Sequence, residues 1–189
     1  VRFHGGNNAG HTVIVNNNIF KLHLIPSGVI YGSPVSIIGN GVVVDPKALL
    51  SEISYLKEKG IEPKLLVSDR CHIIMPYHIE LDSALSGHQA ELAAGSTGRG
   101  IAPVYADKMF RNGIRMIDLL EPDILKQKLE KGYAFAKGII EKSLNKKMTS
   151  EPRSIFEDYI DFGIKLKNYV SDTSVELYKA HQNGKSILF

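Results

Sequence analysis

The residues with the clearest chemical potential lie in the glycine-rich stretch from Gly5 to Thr12. Its glycines let backbone N–H groups approach a ligand closely, and successive amides in such a loop can converge on an anion. Asn8 and Thr12 add neutral hydrogen-bonding groups. His11 adds an imidazole that could neutralise charge on a phosphate oxygen or donate a proton to it. Glycine and asparagine are also ordinary turn residues, so a plain turn remains the alternative to a ligand loop.

A second candidate cluster is Ser96-Thr97-Gly98-Arg99-Gly100, in which small residues and hydroxyls surround a fixed cation. This composition is typical of phosphate cradles and equally of flexible loops. Lys108, Arg111 and Arg115 follow at i, i+3 and i+7, so on one continuous helix they would share a basic face. Asn112-Gly113 could end that helix early, and a solvated basic face without a ligand is the alternative.

Of three other histidines, His23 is interpreted as solvated or hydrogen-bonded, and His72 and His78 are interpreted as structural. His23 lies between two leucines in a predicted strand and alternates to the opposite face. His72 and His78 are separated by five residues that include Pro76, which matches no common metal-ligand spacing.

The elements that must position these groups alternate between apolar strands and capped helices, which predicts a mainly parallel α/β sheet with flanking helices. Three asparagines predict the turn of a hairpin between residues 13 and 25. Asp45-Pro46 predicts a helix that runs to about Lys59, and Pro76 begins another with Ile79, Leu85 and Leu92 toward the core. Further strands are predicted at residues 35–38, 42–44 and 65–68.

From Glu121 onward the apolar spacing becomes helical. We predict one helix from Pro122, a polar link over residues 145–152, and a second long helix from Ile155 to about Asn183-Gly184. The apolar stripes of both helices are read as packing surfaces. These helices form a predicted helical subdomain, after which the sheet is expected to resume at Ser186.

Composition limits the classes of function. The 189 residues with 43% hydrophobic content suffice for one domain with a core. A net charge of +3 predicts no strong attraction to nucleic acid or membrane, and no apolar run approaches the roughly 18 residues of a membrane span. The single Cys71 indicates a reducing compartment, so we expect a cytoplasmic protein. Both ends read as interrupted strands, which predicts that the chain is part of something longer.

Four blocks in the chain resemble, in order, motifs of the adenylosuccinate synthetases, which join aspartate to IMP using GTP. The blocks are G-G-N-N-A-G-H-T at residues 5–12, K-L-H-L-I-P-S-G at 21–28, G-N-G-V-V-V-D-P at 39–46 and S-T-G-R-G-I-A-P at 96–103. The resemblance covers most of the chain up to about Leu120 and is weak beyond it. It implies a P-loop-NTPase-like fold, with IMP, GTP and aspartate as substrates and Mg²⁺ as cofactor.

The resemblance also implies roles for single residues. His11 matches the general acid that acts while GTP phosphorylates the 6-oxygen of IMP. Gly10 matches a glycine whose carbonyl helps to hold Mg²⁺, and Gly10, His11 and Thr12 match the positions that contact GTP. Arg111 matches an arginine that reaches the active site of the neighbouring subunit in a homodimer, with Lys108 and Arg115 as nearby basic residues. The positions that match IMP contacts are Asn8, Ala9, Gly10, His11, Thr97 and Arg111.

The sequence departs from the family pattern in places. Ser96 stands where the family usually has threonine and Ala102 where it has glycine, and neither change removes a predicted ligand. Nothing matches the G-D-E-G-K-G loop whose aspartate is the family's catalytic base. The later glycine-rich segment, the guanine-recognising motif and the aspartate-binding loop would follow Phe189.

We therefore expect a single incomplete α/β domain over residues 1–189. Residues 1–75 would form the sheet and the phosphate loop, and residues 76–185 would be largely helical. The complete protein is expected to be a GTP-dependent ligase, and this segment alone is expected to be inactive. A non-catalytic nucleotide- or phosphate-binding module, or a dimerisation module, is the alternative.

Overall fold

A computed structural model of the protein describes residues 1–8, 10–89 and 96–189. The strands are β1 (His11–Val15), β2 (Asn18–Leu22), β3 (Ser36–Ile38), β4 (Val43–Val44), β5 (Leu65–Ser68), β6 (His72–Ile73) and β7 (Val170–Ser171). The α-helices are α1 (Pro46–Glu58), α2 (Pro76–Gln89), α3 (Ile101–Phe110), α4 (Pro122–Lys137), α5 (Pro152–Leu166) and α6 (Thr173–Gln182). Short 3₁₀ segments cover Ser27–Tyr31, Met116–Leu120 and Lys167–Tyr169, and α4 continues into a π-helical segment, Gly138–Ser143.

The central strands run parallel, which confirms the predicted fold class. β3 pairs with β5, and β4 pairs with β6, so residues 36–44 and 65–73 lie side by side. β7 joins the other side of β5, also in parallel. On the outer side of residues 36–44, Arg2 and Gly5 form parallel bridges with Ile38 and Val42. The sheet thus carries several chain segments whose carboxyl ends point to the same edge.

The step from β4 to β5 is a strand–helix–strand unit, as the sequence predicts. Val42, Val43 and Val44 are fully buried, as expected for a strand covered on both faces. One carboxylate oxygen of Asp45 accepts hydrogen bonds from the amides of residues 47 and 48, at 3.0 and 3.2 Å, and Pro46 begins α1.

The predicted hairpin is confirmed as β1 and β2, which are antiparallel with Val15 opposite Asn18. Its turn contains two asparagines, Asn16 and Asn17, whose φ angles are 49° and 64°. Asn18 already belongs to β2. Asparagine tolerates this left-handed conformation better than most residues, which explains the choice of residues in the turn.

The long second helix predicted from Ile155 to residue 183 is wrong. α5 ends at Leu166, and Val170–Ser171 instead pairs with β5 before Asp172 caps α6 through the amides of residues 174 and 175. The pairing of residues 170–171 with β5 therefore outweighs the helical preference that the apolar spacing indicates.

Two smaller predictions about packing are also wrong. The segment from Ser186 forms no strand in the structure, and Leu188 and Phe189 are 84% and 69% exposed. On α2, Ile79 is exposed and Leu85 is half-buried, whereas Leu92 lies outside the described residues.

Helix α5 packs closely against Leu119 at Gly163. A Cβ atom on Gly163 of α5 would lie 2.4 Å from the carbonyl oxygen of Leu119. We expect Gly163→Ala to lower the free energy of unfolding by roughly 2 kcal/mol, because the helix must shift to relieve the overlap. Urea denaturation of the complete protein measures this change.

Gly138→Ala is the matched control, because Gly138 is also helical and nothing lies within 4 Å of its Cβ position. It should be neutral or stabilising by about 0.5–1 kcal/mol. Equal effects of the two alanines would contradict the proposed contact between α5 and Leu119.

Candidate functional site

The first glycine-rich loop begins at the carboxyl edge of the parallel strands. The amide of Arg2 donates to the carbonyl of Ile37 at 2.8 Å, and the amide of Val43 donates to the carbonyl of Gly5 at 2.8 Å. The next residues, Gly6 and Asn7, therefore emerge where β4 ends. There the Asn7 side-chain amide donates to Asp45 at 3.3 Å. Loops at this edge of a parallel sheet are the usual ligand-binding position in α/β proteins.

Gly6 is needed for this placement. It is buried, and a Cβ atom on it would lie 2.6 Å from Cδ1 of Ile101 and 2.9 Å from Cγ2 of Val43. The loop can therefore lie directly against β4 and the beginning of α3 only because this residue has no side chain.

The second candidate cluster, residues 96–100, lies next to the first. The guanidinium group of Arg99 donates a hydrogen bond to the carbonyl of Asn7. Gly100 precedes α3 with a φ of +75°, and its Cβ position would lie 3.0 Å from the backbone of His78. The left-handed conformation and the close contact both favour glycine here. Two clusters that are about 90 residues apart in sequence thus lie side by side.

A cleft of about 310 Å³ opens between the two loops, β2 and α1. Its polar groups include the cationic side chains of Lys21 and Arg99 and the imidazole of His23. Gly10 lies against this imidazole, since its Cβ position would be 3.0 Å from Nε2 of His23. The two cations outnumber the single carboxylate of the cleft, that of Glu52, and this excess of positive charge suits an anionic ligand. The residues that line the cleft are Asn7, Lys21, His23, Ala48, Ser51, Glu52, Tyr55 and Arg99.

His11 is the first residue of β1, and its ring is half-buried. Burial lowers its pKa, the backbone of Ile25 acts in the opposite direction, and the charge of Arg2 lowers it further. The imidazole is therefore mainly neutral near pH 7 in the ligand-free protein, in contrast to the cationic ring suggested by the sequence. Protonation of His11 would then accompany the arrival of an anionic ligand.

Two buried polar atoms near this loop lack a partner within the described residues. They are Oδ1 of Asn7 and Nε2 of His11. Because an unsatisfied buried polar atom is costly, each marks a position that a ligand or a water molecule would satisfy. The loop thus has two unused hydrogen-bonding atoms in the ligand-free protein.

A carboxylate that is not among the predicted site residues lies beside the cleft. Glu52 of α1 is buried and accepts hydrogen bonds from the amides of residues 23, 24 and 25, at 2.6, 2.9 and 3.0 Å. Arg2 donates to the carbonyls of His23 and Gly6, the latter at 2.6 Å. Glu52 and Arg2 together fix residues 23–25 beside the first loop. The available signal was a glutamate within the apolar face of α1, between Leu49 and Ile53.

The predicted basic face of Lys108, Arg111 and Arg115 does not form. α3 ends at Phe110, and Arg111 adopts a left-handed φ of 63°, so the three residues do not share one helix. Lys108 turns back to donate to the carbonyl of Asn40 at 3.3 Å.

Arg111 also lies at the other end of α3 from residues 96–100. The ten residues of α3 span about 15 Å between Gly100 and Arg111. Asn8, Gly10, Thr12, Thr97 and Arg111 are exposed, and Ala9 lies outside the described residues.

Two of the remaining histidines have surroundings that fit a structural role. His78 is buried, with Nδ1 accepting from the amide of Met75 at 2.9 Å and Nε2 lying 3.0 Å from Asp107. Burial and the nearby charges of Lys108 and Arg115 lower the pKa of His72 to about 4. Within residues 1–8, 10–89 and 96–189, no group of three or more His, Cys, Asp or Glu side chains could hold a metal ion.

The sheet and the two loops at its edge define a P-loop-NTPase-like α/β protein. No helix in the described part of the chain has the length and apolar character that a membrane crossing requires. The chain belongs to the adenylosuccinate synthetase family, whose family model matches residues 1–189.

Individual relatives agree with this assignment. The chain is 50% identical to the adenylosuccinate synthetase of Clostridium acetobutylicum and 45% identical to that of Streptococcus gordonii, covering all of this chain but 45% and 44% of theirs. The solved structure of a fully ligated adenylosuccinate synthetase from Plasmodium falciparum matches with a TM-score of 0.84 and 30% identity. That match covers 97% of this chain and 42% of the other. The chain thus spans less than half the length of these relatives.

Proposed function

We propose that the complete protein joins aspartate to IMP with GTP, giving adenylosuccinate, GDP and phosphate. Membership of the family supports this reaction. The observation that carries it is the hydrogen bond from Arg99 to Asn7, which places residues 96–100 beside the first glycine-rich loop. Each loop matches the family's sequence at this point, and the cleft between them carries cationic groups suited to phosphates.

The proposed reaction has two steps. The γ-phosphoryl group of GTP passes to the 6-oxygen of IMP, which gives 6-phosphoryl-IMP and GDP. The amine of aspartate then attacks C6, and phosphate leaves with the former 6-oxygen. In this scheme His11 donates a proton or a hydrogen bond to the oxygen on which negative charge develops. Its Nε2 is buried and has no hydrogen-bond partner among the described residues, so its hydrogen-bonding capacity is unused in the ligand-free protein.

Ligand contacts follow the family positions. We propose that Asn8, Ala9, Gly10, His11 and Thr97 contact IMP, with Thr97 on its phosphate. Gly10, His11 and Thr12 would contact GTP. The exposure of Asn8, Gly10, Thr12 and Thr97 in the ligand-free protein leaves these residues accessible.

Gly10 is also the proposed protein ligand of Mg²⁺. It is exposed, and a backbone carbonyl suits this hard cation, which keeps several waters and binds mostly through substrate phosphates. Bound there, the ion would offset negative charge on the phosphates of GTP.

We further propose a cytoplasmic homodimer in which Arg111 enters the neighbouring site and Lys108 and Arg115 lie close to the interface. The exposure of Arg111 and its position at the other end of α3 from residues 96–100 support this arrangement. Met109 and Phe110 beside it are 69% and 63% exposed, which fits a surface that a second subunit covers. Residues 1–189 would then be one incomplete α/β domain, with a sheet-forming part at 1–75 and a largely helical part at 76–185.

An assay of the complete protein tests the function. Adenylosuccinate should form only when IMP, GTP, aspartate and Mg²⁺ are all present. Binding of IMP or GTP without any product would instead favour a nucleotide-binding module. We expect residues 1–189 alone to form no product, because they contain no match to the G-D-E-G-K-G loop.

The shared site predicts a change in assembly. In the complete protein, IMP should shift the monomer–dimer equilibrium toward the dimer, because each pocket needs Arg111 of the neighbour. Arg111→Leu should abolish this shift and weaken IMP binding, since leucine cannot form paired hydrogen bonds with a phosphate. Sedimentation velocity with and without IMP measures the effect.

Arg153→Leu is the matched control, because the Arg153 side chain is 91% exposed on α5. Mixing Arg111→Leu with His11→Ala subunits should restore some activity, since one site of the heterodimer has both residues. Ligand-driven dimerisation of Arg111→Leu equal to that of the parent, with no recovery on mixing, would show that Arg111 is ordinary surface charge.

A further inference from the structure

We propose that Asp82 of α2 is the positioning residue that holds residues 96–100 in the conformation that binds the phosphate of IMP. The inference rests on the proposed function and adds to it a residue that does not itself contact the substrate. Asp82 is 5% exposed, so its carboxylate is shielded from water and must be satisfied by protein donors.

Both oxygens of this carboxylate are used by the loop. Oδ1 accepts a hydrogen bond from the hydroxyl of Ser96 at 2.7 Å, and Oδ2 accepts one from the amide of Gly100 at 2.9 Å. The Ser96 oxygen in turn accepts from the amide of Gly98 at 3.1 Å. One carboxylate therefore fixes the beginning and the end of the five-residue segment and, through Ser96, its middle.

The carboxylate is itself held in a rigid frame. Asp82 lies on the same helix as His78, and His78 connects the first turn of α2 to Asp107 of α3 at 3.0 Å. Gly100 packs against the backbone of His78. α2, α3 and residues 96–100 are thus joined at three places around Asp82.

The side chains of Thr97 and Arg99 take no part in the hydrogen bonds to Asp82. Thr97 is exposed, and the guanidinium of Arg99 reaches the first loop at Asn7. The carboxylate of Asp82 has no hydrogen to donate to a phosphate, and its negative charge would repel one. Its contribution is therefore to order residues 96–100 before the ligand arrives. Ordering in advance lowers the entropic cost of binding, and hydrogen bonds to a charged acceptor are strong enough to provide it.

The experiment measures kcat of the complete enzyme and its KM values for IMP, GTP and aspartate. Calorimetry gives the affinity for IMP. We expect Asp82→Ala to raise the KM for IMP about tenfold and Ser96→Ala about fivefold, with kcat and the KM for GTP changed by less than about threefold. Ser96→Thr keeps the hydroxyl on an exposed side chain and should restore the affinity for IMP. Ser83→Ala, an exposed serine next to Asp82, is the matched control.

A KM for IMP within twofold of the parent in both Asp82→Ala and Ser96→Ala would overturn the proposal. So would a uniform rise of all three KM values, which would indicate general loss of structure. If Asp82→Ala does not fold, the exposed Ser96 still gives a decisive comparison. A parent protein that forms no adenylosuccinate contradicts the proposed function instead, and the calorimetric affinity for IMP then decides the role of Asp82.

Discussion

Replacing His11 by alanine in the complete enzyme is expected to lower kcat by about 10²–10⁴-fold while weakening IMP binding far less. The reason is that in the proposed mechanism His11 acts on charge that develops in the transition state, so its loss would affect turnover more than ground-state affinity. The buried and unpartnered Nε2 atom of the ligand-free protein supports this role. Steady-state kinetics and IMP affinity, measured on the same preparation, give the two quantities.

His181→Ala is the matched control, because His181 is exposed on α6. A higher KM with unchanged kcat in His11→Ala would make His11 a binding residue and exclude the acid role. The pKa of His11 offers a second check by NMR titration. It should lie below the ordinary value of about 6.5 in the free protein, because burial disfavours the charged ring, and should rise when IMP and GTP bind.

The second large effect is expected from Glu52→Ala. This change removes the acceptor of the amides of residues 23, 24 and 25. Buried donors without partners should lower the free energy of unfolding by roughly 3 kcal/mol. Activity should fall as well, because residues 23–25 support Gly10 through His23 and lie beside His11. Urea denaturation and kinetics of the complete enzyme measure both losses.

Glu52→Gln should have an intermediate effect, because its carbonyl oxygen still accepts hydrogen bonds while its NH₂ group faces other donors. Glu58→Ala on the same helix is the control, because Glu58 is exposed. If Glu52→Ala and Glu58→Ala were equally stable, the carboxylate would not be what fixes residues 23–25.

The sequence predicts most of the central sheet, because the signals there are local. Asp45 and Pro46 predict the beginning of α1, because aspartate caps a helix and proline suits its first turn. The valines at residues 42–44 predict a buried strand. Asn16 and Asn17 supply the conformation of the hairpin turn. In each case the physical cause lies within a few residues of its effect, so it can be read from the chain without the fold.

Most of the features that the sequence did not predict depend on contacts between residues far apart in the chain. Val170–Ser171 is a strand because it pairs with β5, and nothing in the spacing around it requires one. Glu52 matters because it accepts from amides 27–29 residues away. Asp82 matters because it accepts from a hydroxyl 14 residues away and an amide 18 residues away. The end of α3 at Phe110 had a local signal in Asn112-Gly113, and that signal outweighed the i, i+3, i+7 spacing.

Positional labelling of the 6-oxygen tests the central claim most directly. The complete protein would be incubated with aspartate, GTP, Mg²⁺ and IMP carrying ¹⁸O at the 6-position, and the phosphate released would be examined by mass spectrometry. If the loops at Asn7 and Arg99 serve the proposed ligation, adenylosuccinate forms without the label, and the phosphate carries it in an equal amount. Phosphate without ¹⁸O, or GTP hydrolysis without adenylosuccinate, would contradict the account.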